Sequence, residues 1–203
     1  MTAGAAIYGA GGHARVVSSI LRARGISVIG FFDDSFQGKE IIQGAPVLGR
    51  FNDIFKYKDS FCAAYLAIGD NSQRKKAYNI LVKNKIVVPP LVHPKSVMEI
   101  DAKVKPGTVI CMGAIVGTEV KIGKGVILNT GCSADHEVQI GDFVHIAPKS
   151  AIAGRTRIGK NTFIGMNASI ADNLKIGKNV QIGAGSIVLR DVPDGEKVRG
   201  VYH

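Results

Sequence analysis

From Val92 to Val188 an apolar residue stands at every sixth position of the chain. The series runs Val92, Met98, Val104, Ile110, Val116, Ile122, Leu128, Ala134, Ile140, Ile146, Ile152, Ile158, Ile164, Ile170, Ile176, Ile182, Val188, which is 17 in succession without a break. Glycine follows the aliphatic residue in Ile122-Gly123, Ile140-Gly141, Ile158-Gly159, Ile164-Gly165, Ile176-Gly177 and Ile182-Gly183. Four residues after the aliphatic there is usually a small or β-branched side chain, as at Val126, Cys132, Val138, Ser150, Thr156, Thr162 and Ala168. A period of six matches neither the 3.6-residue turn of an amphipathic helix nor a heptad. It is the signature of a hexapeptide β-helix, a solenoid of short parallel strands with its aliphatic column inside. Three hexads close one triangular coil, so the run supplies roughly five coils.

The residues before the run have a different pattern. Residues 4–9 read as a short buried strand that runs into Gly9-Ala10-Gly11-Gly12-His13-Ala14. Residues 15–24 carry apolar side chains at Val16, Val17, Ile20 and Leu21, a helical stripe stopped by Gly25. Ile26 to Phe32 is a second apolar strand, closed by Asp33-Asp34. Strand, glycine turn, helix, strand and then an acidic residue is the outline of a nucleotide-binding βαβ unit. Glycines let the backbone approach a pyrophosphate, and a helix N-terminus offers free N–H groups to it. Ala14 stands where the pattern has its third glycine, and a tight turn with no ligand is the competing reading. Phe61 to Ile68 is a third strand, ending at Gly69-Asp70-Asn71, and Ser72 is the expected cap of a helix reaching about Lys83. Ile86 to Leu91 reads as a last strand, confined to an edge by Pro89-Pro90. The expected division is therefore an α/β unit over residues 1–91 and a β-helix over residues 92–203.

Composition narrows the partners. The formal net charge is +10, which favours anionic ligands, although Lys121, Lys124, Lys160, Lys175 and Lys178 all flank repeat corners and read equally as solvated turns. No basic stretch is interleaved with aromatic residues, so nucleic acid is not expected. No apolar run approaches the roughly 18 residues of a membrane span, and no basic-then-apolar leader opens the chain. Cys62, Cys111 and Cys132 are scattered without metal-type spacing and are expected to be buried thiols in a reducing cytoplasm.

The chemistry is expected where the repeat is broken. At Asp135-His136-Glu137 the inward position shrinks to Ala134 and an imidazole lies between two carboxylates; His145 follows nine residues on. An imidazole serves as a general base near neutral pH, and a neighbouring carboxylate orients it. Side chains alternate along a strand, so Glu137 reaches His136 only if the coil turns a corner there; Asp135 is the alternative partner. Two surface histidines without chemistry are the competing reading. So is a metal site like that of the gamma carbonic anhydrases, which use three histidines, although here only His13, His93 and His203 remain and none is clustered. Ser133 lacks a nucleophile-elbow motif.

Tyr8-Gly-Ala-Gly-Gly-His-Ala14, Phe32-Asp33-Asp34, Ala67-Ile68-Gly69-Asp70-Asn71 with Arg74, His93-Pro94, Gly125-Val-Ile-Leu-Asn129-Thr, Asp135-His136-Glu137 and the hexapeptide run together resemble the bacterial sugar acyltransferases of the PglD/NeuD type. That family includes nucleotide-activated 4-amino-sugar N-acetyltransferases and sialic-acid O-acetyltransferases. The resemblance implies a trimer in which a Rossmann-like domain holds the sugar nucleotide and a left-handed parallel β-helix holds acetyl-CoA between neighbouring subunits, with no metal. Carried onto this chain, His136 is the base and Glu137 its supporting carboxylate. Gly11, Gly12 and His13 lie against the pyrophosphate, Asp33 and Asp34 near the nucleoside, Gly69 in the same pocket and Asn129 near the acceptor sugar. His145, Gly154, Met166 and Ala184 correspond to positions along the acetyl-CoA groove, the last three acting mainly through backbone groups. The implied activity is acetyl transfer to a nucleotide-activated amino sugar in the cytoplasm. O-acetylation of a sialic acid and a purely structural or binding β-helix remain as alternatives. The chain departs from the family's closing Gly-Val-Pro-Ala, having Gly200-Val201-Tyr202-His203 instead.

Overall fold

The computed structural model describes residues 4–38 and 40–203. They form two compact units, divided between Pro94 and Lys95.

The first unit is built on strands β1 (Gly4–Tyr8), β2 (Val28–Phe32), β3 (Ile41–Ile42), β4 (Ala45–Gly49) and β5 (Phe61–Leu66), in the order β3-β4-β2-β1-β5. All pair in parallel except the β3–β4 hairpin. Helix α1 (Gly12–Ala23) begins directly at the glycine turn and buries Ala14, Val17, Ile20 and Leu21. Burying four such side chains at about 25 cal/mol per Å2 of apolar surface is what holds a single helix on a sheet. The sequence reading placed no element between Asp34 and Phe61. There the chain makes the β3–β4 hairpin and a 3-10 helix over Phe51–Tyr57. The signal was local: Gln43 (φ 49°) and Gly44 (φ 86°) are both left-handed, as a two-residue hairpin turn requires.

Helix α2 (Asn71–Lys83) is capped by Asp70, whose carboxylate accepts the Gln73 N–H at 2.7 Å. Ser72 was expected in that role, but it lies inside the first turn, whereas Asp70 has the extended backbone of a cap. Arg74 is fully buried and donates to the carbonyls of Ile68 (3.0 Å) and Gly69 (2.9 Å) and to Asn71 Oδ1 (2.7 Å). It ties the β5–α2 turn shut. Residues 86–90 are not a strand; a single bond from Ala64 N–H to Val87 C=O (2.9 Å) is followed by the two prolines, which have no N–H to continue a ladder. Cys111 and Cys132 are buried thiols pushed up to about 12 by burial, but Cys62 is exposed, because it faces outward from the edge strand β5.

The second unit is a parallel β-helix. Its two-residue strands stack into three faces, every 18 residues up to the last coil, where Lys197 pairs with Gln181 and Val201 with Ile187. The outward residues name the faces. One carries Val97, Ile115, Ser133, Ala151, Ser169, Ile187 and Val201, and is called the small-residue face after its centre. The basic face carries Lys103, Lys121, Gln139, Arg157 and Lys175. The histidine face carries Val109, Ile127, His145, Phe163, Gln181 and Lys197. The aliphatic column is buried from Ile110 to Val188, while Met98 is 40% exposed. The atypical end of the chain completes the stack, Val201–Tyr202 pairing with Ile187–Val188.

Two separate demands explain the hexad. The residue three places after the aliphatic is left-handed at every corner from Gly107 to Gly185, with Glu119, Glu137, Phe143, Lys149, Arg155, Asn161, Asn167, Asn173 and Asn179 among them. Asn recurs because it tolerates this region better than other side chains. The glycine directly after the aliphatic meets a different demand. A Cβ at Gly123, Gly141, Gly159 or Gly177 would stand 2.5–2.7 Å from backbone atoms of the next coil.

Candidate active site

The corner between the small-residue and basic faces is occupied, coil by coil, by Thr118, His136, Gly154 and Asp172. At the second of these the backbone turns at His136 and Glu137, and Glu137 is left-handed at φ 59°. That turn swings the Glu137 side chain back, and His136 Nδ1 lies 3.1 Å from Glu137 Oε2. The corner that the alternation of a strand would have forbidden is therefore present. Asp135 is engaged otherwise: its Oδ1 accepts the His136 N–H at 2.7 Å, which fixes the backbone rather than the ring. The imidazole side chain is 42% exposed. With Nδ1–H donated to the carboxylate, Nε2 holds the lone pair.

Asn129 stands at the other end of the Ser133–Ala134 strand, on the corner leading in from the histidine face. Its Nδ2 donates to His145 Nε2 at 3.2 Å, and its Oδ1 accepts the Thr130 N–H at 2.8 Å. The His145 ring meets Phe163 edge-on at 5.1 Å between centroids. Exposed Met166 and Ala184 lie on the same corner as Asn129, one above the other. Gly154 does not join them; it is buried beneath His136 on the opposite corner. Within one chain, then, the positions assigned to acetyl-CoA fall on both edges of the small-residue face. That face carries a cavity of about 430 Å3 lined by Ile115, Ser133, Ala134, Asp135, Ala151 and Ser169.

A larger depression, of about 660 Å3, lies on the basic face among Lys103, Lys121, Arg157, Lys175 and Lys178. Its two carboxylates, Asp142 and Asp194, accept the N–H groups of Lys124 and Lys178 at 3.0 and 2.8 Å. They hold the turns of neighbouring coils in place. Among the described residues no three His, Cys, Asp or Glu side chains gather as a metal site would require.

In the α/β unit the expected nucleotide residues divide into two kinds. Gly11, Gly12 and Gly69 have no left-handed backbone, and a Cβ on any of them would meet nothing within 4 Å. Nothing in the fold requires glycine there. Asp33 and Asp34 are held internally: Asp33 accepts from Ala10 N–H (2.7 Å) and from the Ser35 N–H and hydroxyl (2.9 and 2.5 Å), and Asp34 from the Tyr8 hydroxyl (2.9 Å) and Phe51 N–H (3.0 Å). Burial raises the Asp33 carboxyl, but the bonds from Ser35 and Ala10 outweigh it and hold it low. The Tyr8 hydroxyl is raised by burial and by its bond to Asp34. His13 Nε2 is buried without a partner, and burial, with Arg74 beside it, lowers the imidazole to about 4. His13 is therefore neutral at physiological pH. Tyr8, Asp34, Phe51, Asn52, Gln73 and Lys76 line a cavity of about 450 Å3 that sequence reasoning did not delineate, because Phe51 and Asn52 come from the unrecognised 3-10 helix.

Residues 5–81 match the PglD N-terminal domain family, and residues 155–190 match the bacterial transferase hexapeptide family of six repeats. A 69-residue stretch is 39% identical to an uncharacterised protein of Acanthamoeba polyphaga mimivirus; the match takes in 33% of this chain and 13% of that protein. Among solved structures, the acetyltransferase domain of PglB from Neisseria gonorrhoeae in complex with acetyl coenzyme A is similar at a TM-score of 0.93 and 31% identity, over 98% of this chain and 97% of that one. PerB from Caulobacter crescentus, in complex with CoA and GDP-perosamine, is similar at 0.90 and 31% over 94% and 91%. WeeI from Acinetobacter baumannii is similar at 0.90 and 27% over 97% and 96%. An α/β unit followed by a left-handed parallel β-helix, shared end to end at this identity, shows that the chain belongs to the PglD/NeuD-type family of hexapeptide-repeat sugar acyltransferases.

Proposed function

We propose that the protein transfers the acetyl group of acetyl-CoA to the amino group of a nucleotide-activated amino sugar of the 4-amino-4,6-dideoxy type, with His136 as the general base. The observation that carries this is the His136–Glu137 pair at 3.1 Å on a half-exposed corner. Its chemistry is direct transfer. The sugar nitrogen attacks the thioester carbonyl, Nε2 of His136 takes the proton from that nitrogen, the C–S bond breaks, and the proton passes to the departing CoA thiolate. Glu137 holds the imidazolium that forms. No covalent enzyme intermediate is required.

Two further observations support the substrates. The glycines Gly11, Gly12 and Gly69 are needed neither by backbone conformation nor by packing, which leaves the close approach of a ligand such as a pyrophosphate as their reason. The solved relative PerB holds CoA and GDP-perosamine, a nucleotide sugar with the donor product. Of the exposed apolar side chains of the β-helix, Val97, Met112, Ile115, Phe163, Met166, Ile187 and Val201 fall on the small-residue face, the histidine face and the corner between them, while Ile100 and Leu189 lie on the opposite corner of the small-residue face. A homotrimer would cover them, and would bring the Asn129–His145–Met166–Ala184 edge of one subunit to the His136 corner of another to form the acetyl-CoA groove. The setting we assign is cytoplasmic synthesis of a bacterial surface glycan or glycoprotein.

His136→Ala is expected to lower turnover on the order of 10²–10⁴-fold while leaving the oligomer intact. Steady-state assays with acetyl-CoA and a panel of UDP-, GDP- and dTDP-amino sugars and free sialic acids test both halves of the proposal. Near-full activity in the variant sinks the base; turnover confined to sialic acid replaces the amine by a hydroxyl.

A further inference from the structure

We infer that position 154 is glycine in order to seat the His136 imidazole, and that Gly154 is a positioning residue for the base. This rests on the reading of His136 as that base. The backbone gives no reason for glycine: Gly154 is outside the left-handed region, and the left-handed residue of its corner is Arg155, at φ 58°. The corner gives none either, since Thr118, His136 and Asp172 occupy the equivalent places in the neighbouring coils. The close approach of coils is met elsewhere, by the glycines that follow the aliphatic column. What a side chain at 154 would strike is the imidazole itself: a Cβ there would lie 2.4 Å from His136 Nε2, 2.5 Å from Cε1 and 3.0 Å from Cδ2. Gly154 is buried, whereas Thr118 and Asp172 in the same column are exposed; the ring covers it.

The ring thus lies on Gly154 while its far nitrogen is held by Glu137 at 3.1 Å. A methyl group at 154 must push the ring outward by about 1 Å to reach ordinary contact at 3.4 Å or beyond. The ring then either gives up Glu137 or carries Nε2 away from the attacking nitrogen. A misplacement of that size costs up to about 10²-fold in rate.

The test is a double-mutant cycle. Gly154→Ala is expected to lower kcat by about 10- to 100-fold, with KM for acetyl-CoA and for the sugar nucleotide changed less than about threefold. In the His136→Ala background the same substitution should cost nothing further, because the ring it displaces is gone. Imidazole 15N spectra should show the His136 resonances moved in Gly154→Ala and those of the other four histidines unchanged. Full kcat in Gly154→Ala overturns the inference. So does an equal loss in both backgrounds, or a loss expressed as a raised KM for acetyl-CoA, since either would place the role of Gly154 on the cofactor side. If Gly154→Ala fails to fold, the double variant must fold like wild type, and failure of both overturns the inference. Should His136→Ala itself remain active, the base assignment fails, and the imidazole spectra still report whether Gly154 seats the ring.

Discussion

His13 and His136 show how differently two units of one chain treat the same side chain. His13 begins a helix at the end of a glycine turn; its Nε2 is enclosed without a partner and burial holds it neutral down to about pH 4. His136 turns a solenoid corner; it is 42% exposed, and its Nδ1 faces a carboxylate at 3.1 Å. The first environment removes the proton and supplies nothing to receive it. The second supplies an acceptor for the charge that a base acquires when it works. Sequence proximity to glycine or to acidic residues separates the two poorly, since Asp135 flanks His136 as closely as Glu137 does, yet it binds the backbone.

The contrast can be broken at either end. Short of removing the imidazole itself, the largest effect is expected from Glu137→Gln, which removes a charged partner worth about 1.5–3 kcal/mol and so should lower kcat by about ten- to a hundredfold at nearly unchanged KM. Activity equal to wild type would mean that the pair seen at the corner does not serve the reaction. Next comes the pH dependence of stability. With His13 near 4 in the fold against about 6.5 unfolded, the unfolded chain binds the extra proton between those values. The stabilising term is therefore whole above about pH 6.5 and is lost as pH falls toward 4, by about 2 kcal/mol once partial exposure is allowed for. Urea unfolding at about pH 7 and about pH 4.5 should show this loss in wild type and a shallower one in His13→Gln; identical slopes would deny that His13 is held neutral. The smallest effect belongs to Asp135→Ala. Losing the bond to the His136 N–H should cost about 1 kcal/mol of stability, as for a helix cap, and about a threefold change in kcat. A loss as large as that of Glu137→Gln would make Asp135 the working carboxylate.

The period of six made the solenoid readable from its first coils, because a residue that must face the axis of a triangular prism recurs at the same phase on every side. The left-handed corner residue three places later was not readable, since Glu137, Phe143, Lys149 and Arg155 share no chemistry and are joined only by their φ angles. The hairpin at Gln43-Gly44 and the Asp70 cap were missed for a related reason: short local signals there compete with equally plausible neighbours such as Ser72. Cys62 was misjudged because an edge strand leaves one side of a small apolar residue to solvent.

The sequence by itself determined the β-helix, the βαβ opening before it, and the stretch Asp135-His136-Glu137 as the place where the repeat gives way to reactive groups. Those features are periodic or contiguous, and periodicity and contiguity survive in one dimension. Only the tertiary structure decided which carboxylate meets the imidazole, which glycines are demanded by neighbouring backbone, and that Gly154 lies under His136. Each of those facts joins residues one coil apart or turns on the sign of a dihedral angle. They depend on distances of a few ångströms between groups that are neighbours only after the coil has closed.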